Sequence, residues 1–391
     1  MPTRRVWIPK PGKDEKRPLG ITPMYDRTLQ NVVKAALEPE WEALFEPNSY
    51  GFPPGRSAHD AIWQVKTIIR QKAKYVLDAD LARCFDGINH EALQKLKIKG
   101  KVRQQIKAWL KSRVIDQGAF TATSLGTMPG GVISPLLANI ARHGLEESIA
   151  EAFPDNGGYI KATKGYGRKK VSVPKIVRYL AEDFVVVCAE KSVVQRCGEI
   201  ISEWLNRVKL ELKPEKTRLT HNGPKLSEDG QAGFDFLGEH FQQFPAGKYR
   251  SDRDSKNRIL GFDTCVTPSA KASKAHQEKI RIAKHNSSPQ AALIKDLNPV
   301  RQGWCNYYFN CDAREEFKNL DFLTYLKLRG WAKRRCKNIF DGHKKYWRTI
   351  GSDNWVFATR SGEANPLGLI KHNSTSSSST KYVKVKGDKS P

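Results

Sequence analysis

Between Lys175 and Ala189 the chain carries two runs of apolar, mostly β-branched residues, Lys175–Leu180 and Phe184–Ala189, separated by Ala181-Glu182-Asp183. Such residues suit a pleated surface, and a short polar break between two such runs predicts an antiparallel hairpin with acids at its tip. An earlier strand-like run begins at Lys74 (KYVLDADL) and carries Asp78 and Asp80, with Asp86 shortly beyond. Helical periodicity is expected over Asp26–Phe45 with a break near Pro39, from Ser57 as N-cap to Lys72, over His90–Lys111, from the Gly130-Gly131 turn to about Ile149, and over Val193–Val208.

The polar stretches between these elements predict turns and loops. Residues 1–22 read as a hairpin around a Pro/Gly loop, with cationic edges that either protect a strand from pairing or grip a polyanion. Residues 154–174 read as a basic, Gly-rich loop, and Lys213-Pro214-Glu215-Lys216-Thr217 as a turn before a strand. Gly233–Gly238 is an apolar strand with Asp235 inside it. Arg56 and His59 stand at a helix start, where backbone N–H groups favour anions. Beyond Pro268 come basic helices carrying Trp304, Tyr307, Tyr308, Trp331, Tyr346 and Trp347. At helical spacing these rings fit a core more readily than a base-stacking surface, while the lysines and arginines beside them suit phosphates. Residues 373–380 (NSTSSSST) are of low complexity.

Composition sharpens this picture. Of 391 residues, 67 are Lys or Arg against 41 Asp or Glu, a net charge of +26 that speaks for a polyanionic partner. No apolar run is long enough to span a membrane, and the N-terminus lacks the apolar stretch of a secretory signal. Cys84, Cys188, Cys197, Cys265, Cys305, Cys311 and Cys336 include no CxxC pair, which removes support for a zinc site and fits reduced thiols. Acids at strand ends and turn tips are what a two-magnesium phosphoryl-transfer site requires, although acids are also ordinary turn residues.

Taken in order, the segments resemble the group II intron-encoded reverse transcriptase/maturase family. The resemblance rests on FxxGRSAHDAI at Phe52–Ile62, DxDxxxxFDxIxH at Asp78–His90, GGVISPLLANI ending at Ile140, the 175–189 hairpin, LKPEKT at Leu212–Thr217, GFDFLG at Gly233–Gly238 and the stretch Leu297–Tyr308. It implies an α+β right-hand polymerase followed by an α-helical thumb: partial fingers over 1–70, palm over 71–240, thumb/maturase (X) domain over 241–360, and a basic tail over 361–391 that begins the lead-in to a DNA-binding region. It implies Mg2+ as cofactor, with group II intron RNA, an RNA template with DNA primer, and dNTPs as partners. A homodimer is left open, and no membrane is implied. The location would be a bacterial cytoplasm or an organelle that encodes the protein.

Residue by residue, Asp80, Glu182 and Asp183 match the catalytic acids, and Leu81 would add a backbone oxygen to the metal. Lys10 and Arg17 resemble the cations that hold the triphosphate, Phe85 the ring that crowds the ribose 2′ position, and Gly130 and Gly131 the turn beside the nucleotide. Asp78 and Asp86 are expected to be structural. The sequence also departs from the family. Tyr179-Leu180-Ala181-Glu182-Asp183 stands for Tyr-Ala-Asp-Asp, with Leu180 either replacing the tyrosine or inserted after it, and both alignments put Glu182 at a metal-binding aspartate. Met128-Pro129 stands for Pro-Gln. The family's N-terminal extension and first fingers motif have no counterpart here, nor does an HNH endonuclease. These departures leave an alternative: a splicing or RNA-binding factor with an impaired polymerase site, or a decayed mobile-element remnant.

Overall fold

A computed structural model describes residues 2–9, 14–82, 87, 98–112, 114–116, 118–121, 130–154, 159–164, 167–179, 183–223, 232–247, 251–254, 256–282, 287–359 and 367–372, with backbone alone at 121, 159–164 and 167–170. The chain forms two compact units. Unit 1 is Met1–Leu237 with Gln242–Thr264, and unit 2 is Gly238–Phe241 with Cys265–Lys381.

Unit 1 opens with the hairpin that the sequence predicts, β1 (Thr3–Pro9) against β2 (Lys16–Ile21). Helix α1 (Met24–Leu44) follows and buries Asp26, Gln30, Val33, Leu37 and Trp41, a stripe at helical spacing. It runs straight through Pro39, where a break was expected. A proline deprives the carbonyl four residues earlier of its donor, but Ala35 and Pro39 are both exposed, so water meets that carbonyl. Helix α2 (Ala58–Ile69) starts from Ser57 in a capping box with Asp60. Arg56 beside it is not free for anions: it bonds Glu42 at 3.0 Å and the carbonyls of Glu46 and Ser49 at 2.9 Å each, fixing the preceding loop.

Strand β3 (Tyr75–Ala82) leads to α3 (Gly100–Leu110), then to β4 (Val114–Asp116) and β5 (Ala119–Thr121), which extend the first sheet in the order β2-β1-β4-β5. The single helix expected to end near Ile149 is two, α4 (Ser134–Arg142) and α5 (Leu145–Ala152). Gly144, at φ +99°, turns the chain between them. The new N-terminus is capped by the Glu46 carboxylate, which accepts from the N–H groups of Gly144 (3.1 Å), Glu146 (2.7 Å) and Glu147 (3.3 Å). Residues expected as a basic loop pair as a hairpin, β6 (Tyr159–Lys164) with β7 (Gly167–Ser172), because two residues separate Lys164 from its partner Gly167, the commonest hairpin loop length.

The central sheet holds β8 (Lys175–Tyr179), β9 (Asp183–Cys188), β3 and β10 (Glu211–Leu212), with β11 (Arg218–His221) also on β3. Between β9 and β10 lies α6 (Lys191–Arg207), and β12 (Phe234–Phe236) follows β11. Val185, Val186 and Val187 of β9 are fully buried. The core joins Ala79, Leu81, Val186 and Cys188 of the sheet to Leu37 and Trp41 of α1, Leu137 and Ile140 of α4, and Val194, Ile201 and Leu205 of α6.

The division between the units falls within β13 (Glu239–Pro245) and β14 (Phe262–Pro268). Unit 2 is mainly helical: α7 (Ala270–Lys279, capped by Ser269), α8 (Gln290–Tyr308), α9 (Arg314–Lys333) and α10 (Ile339–Tyr346), then the hairpin β15 (Trp347–Ile350) and β16 (Asp353–Phe357). Trp331, Tyr346 and Trp347 lie in its core with Leu293, Leu297 and Leu369, so these rings are packing residues. A second buried group is polar. Arg301 pairs with Asp321, His372 bonds Asp321 at 2.8 Å, and the His276 ring lies 2.9 Å from His372 and stacked on Trp304. Among the described residues no helix is long and apolar enough to cross a membrane.

Candidate active site

Strand β3 alternates its side chains between two faces. Ala79 and Leu81 point into the core and are almost wholly buried, which sends Asp78 and Asp80 together to the opposite face. Strand β9 runs antiparallel beside it, with Asp78 opposite Val185 and Asp80 directly opposite Asp183. On the other side of β9, Tyr179 of β8 also pairs with Asp183, so this aspartate opens the strand at the hairpin tip. The register therefore brings Asp80 and Asp183 side by side. Leu81 pairs with Leu212 of β10. Glu182 lies outside the described residues, as do Lys10 and Phe85.

Asp80 is only 6% exposed, and a carboxylate so placed needs compensation. The turn that follows β10 supplies it. Lys213 N–H donates to the Asp80 carbonyl at 2.8 Å, and its ammonium reaches Asp80 Oδ1 at 3.0 Å. One turn of 3₁₀ helix (Pro214–Lys216) then brings Lys216 back to Asp80 Oδ2. Three-residue periodicity is what aims both lysines at one carboxylate.

Asp78 is a strongly perturbed acid. Burial, then the charges of Asp183 and Asp235, push its carboxyl up to about 7; Arg218 opposes the shift and Asp80 adds to it. Asp78, expected to be structural, thus shares one electrostatic field with the matched acids, and Asp235 of β12 joins them. The sequence held a signal for the lysines, a Lys-x-x-Lys turn directly after a strand. It held no signal for Asp235 beyond its being an acid in an apolar strand. Among the described residues no three His, Cys, Asp or Glu side chains form a ready metal cluster.

A second group of matched residues lies on the first sheet. Arg17 is exposed on β2, opposite Ile8. Gly130 has φ +98°, and a Cβ there would stand 2.6 Å from the Gly20 carbonyl oxygen and 2.8 Å from Leu19 Cδ1. Only glycine fits, on both counts. Gly131 is buried and its carbonyl accepts from Ser134 N–H at 3.2 Å, while Val132 N–H donates to Gln30 of α1 at 2.9 Å. The Gly-Gly turn is thereby seated on β2 and α1.

A buried ion pair braces the hairpin. Arg178 of β8 pairs with Glu46 and donates to the Arg142 carbonyl at 3.0 Å. Its own backbone holds Asn48 and Tyr50, at 2.9 Å and 2.8 Å, as an added edge.

Residues 8–241 match the profile of the family described as "Reverse transcriptase (RNA-dependent DNA polymerase)". That match covers more than half of the chain, and the chain belongs to the reverse transcriptase family. Residues 273–348 match a second profile, "Group II intron, maturase-specific domain". The Group II intron-encoded protein LtrA of Lactococcus lactis is 29% identical over 390 residues, covering 83% of this chain and 63% of that protein. Protein YkfC of Escherichia coli is 31% identical over 271 residues, covering 61% of this chain and 66% of that protein. A protein in the cob intron of Schizosaccharomyces pombe is 34% identical over 153 residues, 38% of this chain and 19% of its own length. The chain thus spans somewhat under two thirds of the length of the first two curated relatives.

Proposed function

We propose that this protein binds group II intron RNA, assists its splicing, and is built as an RNA-directed DNA polymerase. The observation that carries the polymerase reading is the register of β3 on β9, which sets Asp80 directly across from Asp183. Their surroundings fit divalent cations. Hard ions take carboxylate oxygens, and the repulsion from Asp183 and Asp235 that adds to burial in raising Asp78 is what a bound cation would relieve. Asp80, Glu182 and Asp183, with the Leu81 carbonyl, would hold two Mg2+. Bound there, the ions would activate the primer 3′ hydroxyl and neutralise the leaving pyrophosphate. The protein's own groups would do the rest. Lys10 and Arg17 would hold the dNTP triphosphate, Phe85 would crowd a ribose 2′ hydroxyl, and the Gly130-Gly131 turn would let backbone approach the nucleotide. The net charge of +26 would hold the RNA template with its DNA primer, as well as intron RNA. The reading places the protein in a bacterial cytoplasm or in an organelle that encodes it.

One observation favours a second reading, an RNA-binding splicing factor with an idle polymerase site. Both Asp80 oxygens are engaged by lysines, and Glu182 reaches about one methylene farther than aspartate where magnesium tolerates little distortion. Primer extension on an RNA template with Mg2+ and dNTPs separates the two. Extension that Asp80→Asn abolishes supports the polymerase. Silence in the natural chain that Glu182→Asp relieves points to one carboxylate length. Silence in all three proteins, with intron RNA still bound tightly, leaves the splicing role and removes the enzyme.

A further inference from the structure

The β15–β16 hairpin of unit 2 has a fault in its register. Trp347 pairs with Phe357 and Arg348 with Val356, but Ile350 then pairs with Asp353. Asn354 and Trp355 consequently stand against Thr349 alone, which is a β-bulge. Trp355 there has φ +62°, a left-handed conformation that glycine takes freely and a bulky side chain resists. The strain is not offset by burial, because the Trp355 side chain is 67% exposed.

The ring is nevertheless held at its base. It lies 5.1 Å from the His343 ring, edge to face. His343 is itself stacked on Trp347 at 4.4 Å and stands 2.9 Å from the Tyr325 hydroxyl. One helical turn before His343, on the same side of α10, Phe340 is 80% exposed. The elements that carry the two rings are basic. Lys344 and Lys345 adjoin His343, and Arg348 caps the Lys345 carbonyl at 3.0 Å. Lys371 reaches into the bulge, bonding Asp353 at 3.0 Å.

We infer that Trp355 is a stacking platform for an unpaired base of RNA, with Lys344 and Lys345 of α10 meeting the adjoining phosphates. A strained backbone that presents a large ring mostly to solvent costs the fold more than one ring contact returns, and such strain is concentrated where a protein binds something. Every base offers a π-face to such a ring, and the local charge suits the strand that carries the base. The inference rests on the reading that this protein binds RNA and names a place where it does so.

The test uses the full chain and a labelled, single-stranded oligoadenylate RNA, with binding read by fluorescence anisotropy and stability by thermal melting. Trp355→Gly should weaken binding by about 10-fold without lowering the Tm, because glycine relieves the left-handed strain while removing the platform. Trp355→Phe should bind within about threefold of the natural chain, since a ring remains. Unchanged binding by Trp355→Gly overturns the inference and leaves the RNA-binding reading intact. A Tm several degrees lower in Trp355→Gly overturns it too, by making the ring a packing residue. No RNA binding by the natural chain defeats both. Binding that depends on Trp355 to phosphatidylserine vesicles but not to RNA overturns it in favour of a lipid surface.

Discussion

Asp80 is a buried carboxylate with each oxygen met by a lysine, and the same oxygens are the ones a divalent ion would take. A bound ion would therefore compete with the lysines. Lys213→Met should destabilise the metal-free protein by about 1–3 kcal/mol, the usual cost of removing one partner of a buried hydrogen-bonded charge. It should also enlarge the rise in Tm that added Mg2+ produces, which calorimetry with and without the ion would measure. A Tm response equal to that of the natural chain would mean that the lysine and the ion do not share Asp80. Gly130→Ala is expected to cost about 2 kcal/mol or more, from left-handed strain plus the collision with the Gly20 carbonyl, read as a lower urea midpoint. Acids at strand ends and turn tips are common enough that they pointed to this site only through the order of the motifs around them. The lysines were not read as their partners, because pairing across Asp80 depends on the three-residue repeat of a 3₁₀ turn, which no apolar periodicity records. The environment of Asp78 was not legible, because Asp183 and Asp235, which help to make it, are far from it in the chain.

At the scale of elements, Glu46 ties three pieces together: it begins the loop after α1, caps α5, and neutralises Arg178 beside the site. Glu46→Gln removes the carboxylate bonded to buried Arg178, leaving it only the more indirect charge of Glu146, and should cost up to about 3–5 kcal/mol. Denaturant unfolding would show this as a shifted midpoint with an unchanged slope, and a loss below about 1 kcal/mol would contradict it. Elements whose signals are local were readable. The Ser57–Asp60 capping box and the α1 stripe are written in neighbouring residues. The end of α4 was not, since the apolar pattern continues past Gly144 and the break is stabilised by Glu46 from a distant loop. Pro39 misled in the other direction. Its missing donor matters only where the carbonyl is buried, and exposure is a tertiary fact. Arg56 likewise pointed to anions until Glu42 and the loop carbonyls accounted for it.

At the scale of the molecule, each unit has its own core, and unit 2 carries a titratable one. Burial, with His372, Arg301, Lys279 and Lys327 nearby, lowers His276 to about 3 from an ordinary 6.5. The unfolded chain therefore binds a proton that folded His276 refuses. Stability is complete above about pH 6.5 and falls as pH drops towards 3, by up to about 1.4 kcal/mol per pH unit for this group. Urea midpoints from pH 7 to pH 4 should decline, and His276→Phe should flatten the decline. An equally steep decline in that variant would place the proton elsewhere.

The most direct test of the central claim is Mn2+ binding, with the ion standing in for Mg2+ and read by electron paramagnetic resonance on the full chain. If β3 and β9 form a metal-dependent polymerase centre, the natural chain binds Mn2+ at a site that both Asp80→Asn and Asp183→Asn lose, while folding is retained. Equal binding by all three proteins, or none by the natural chain with primer, template and dNTP present, would contradict the account.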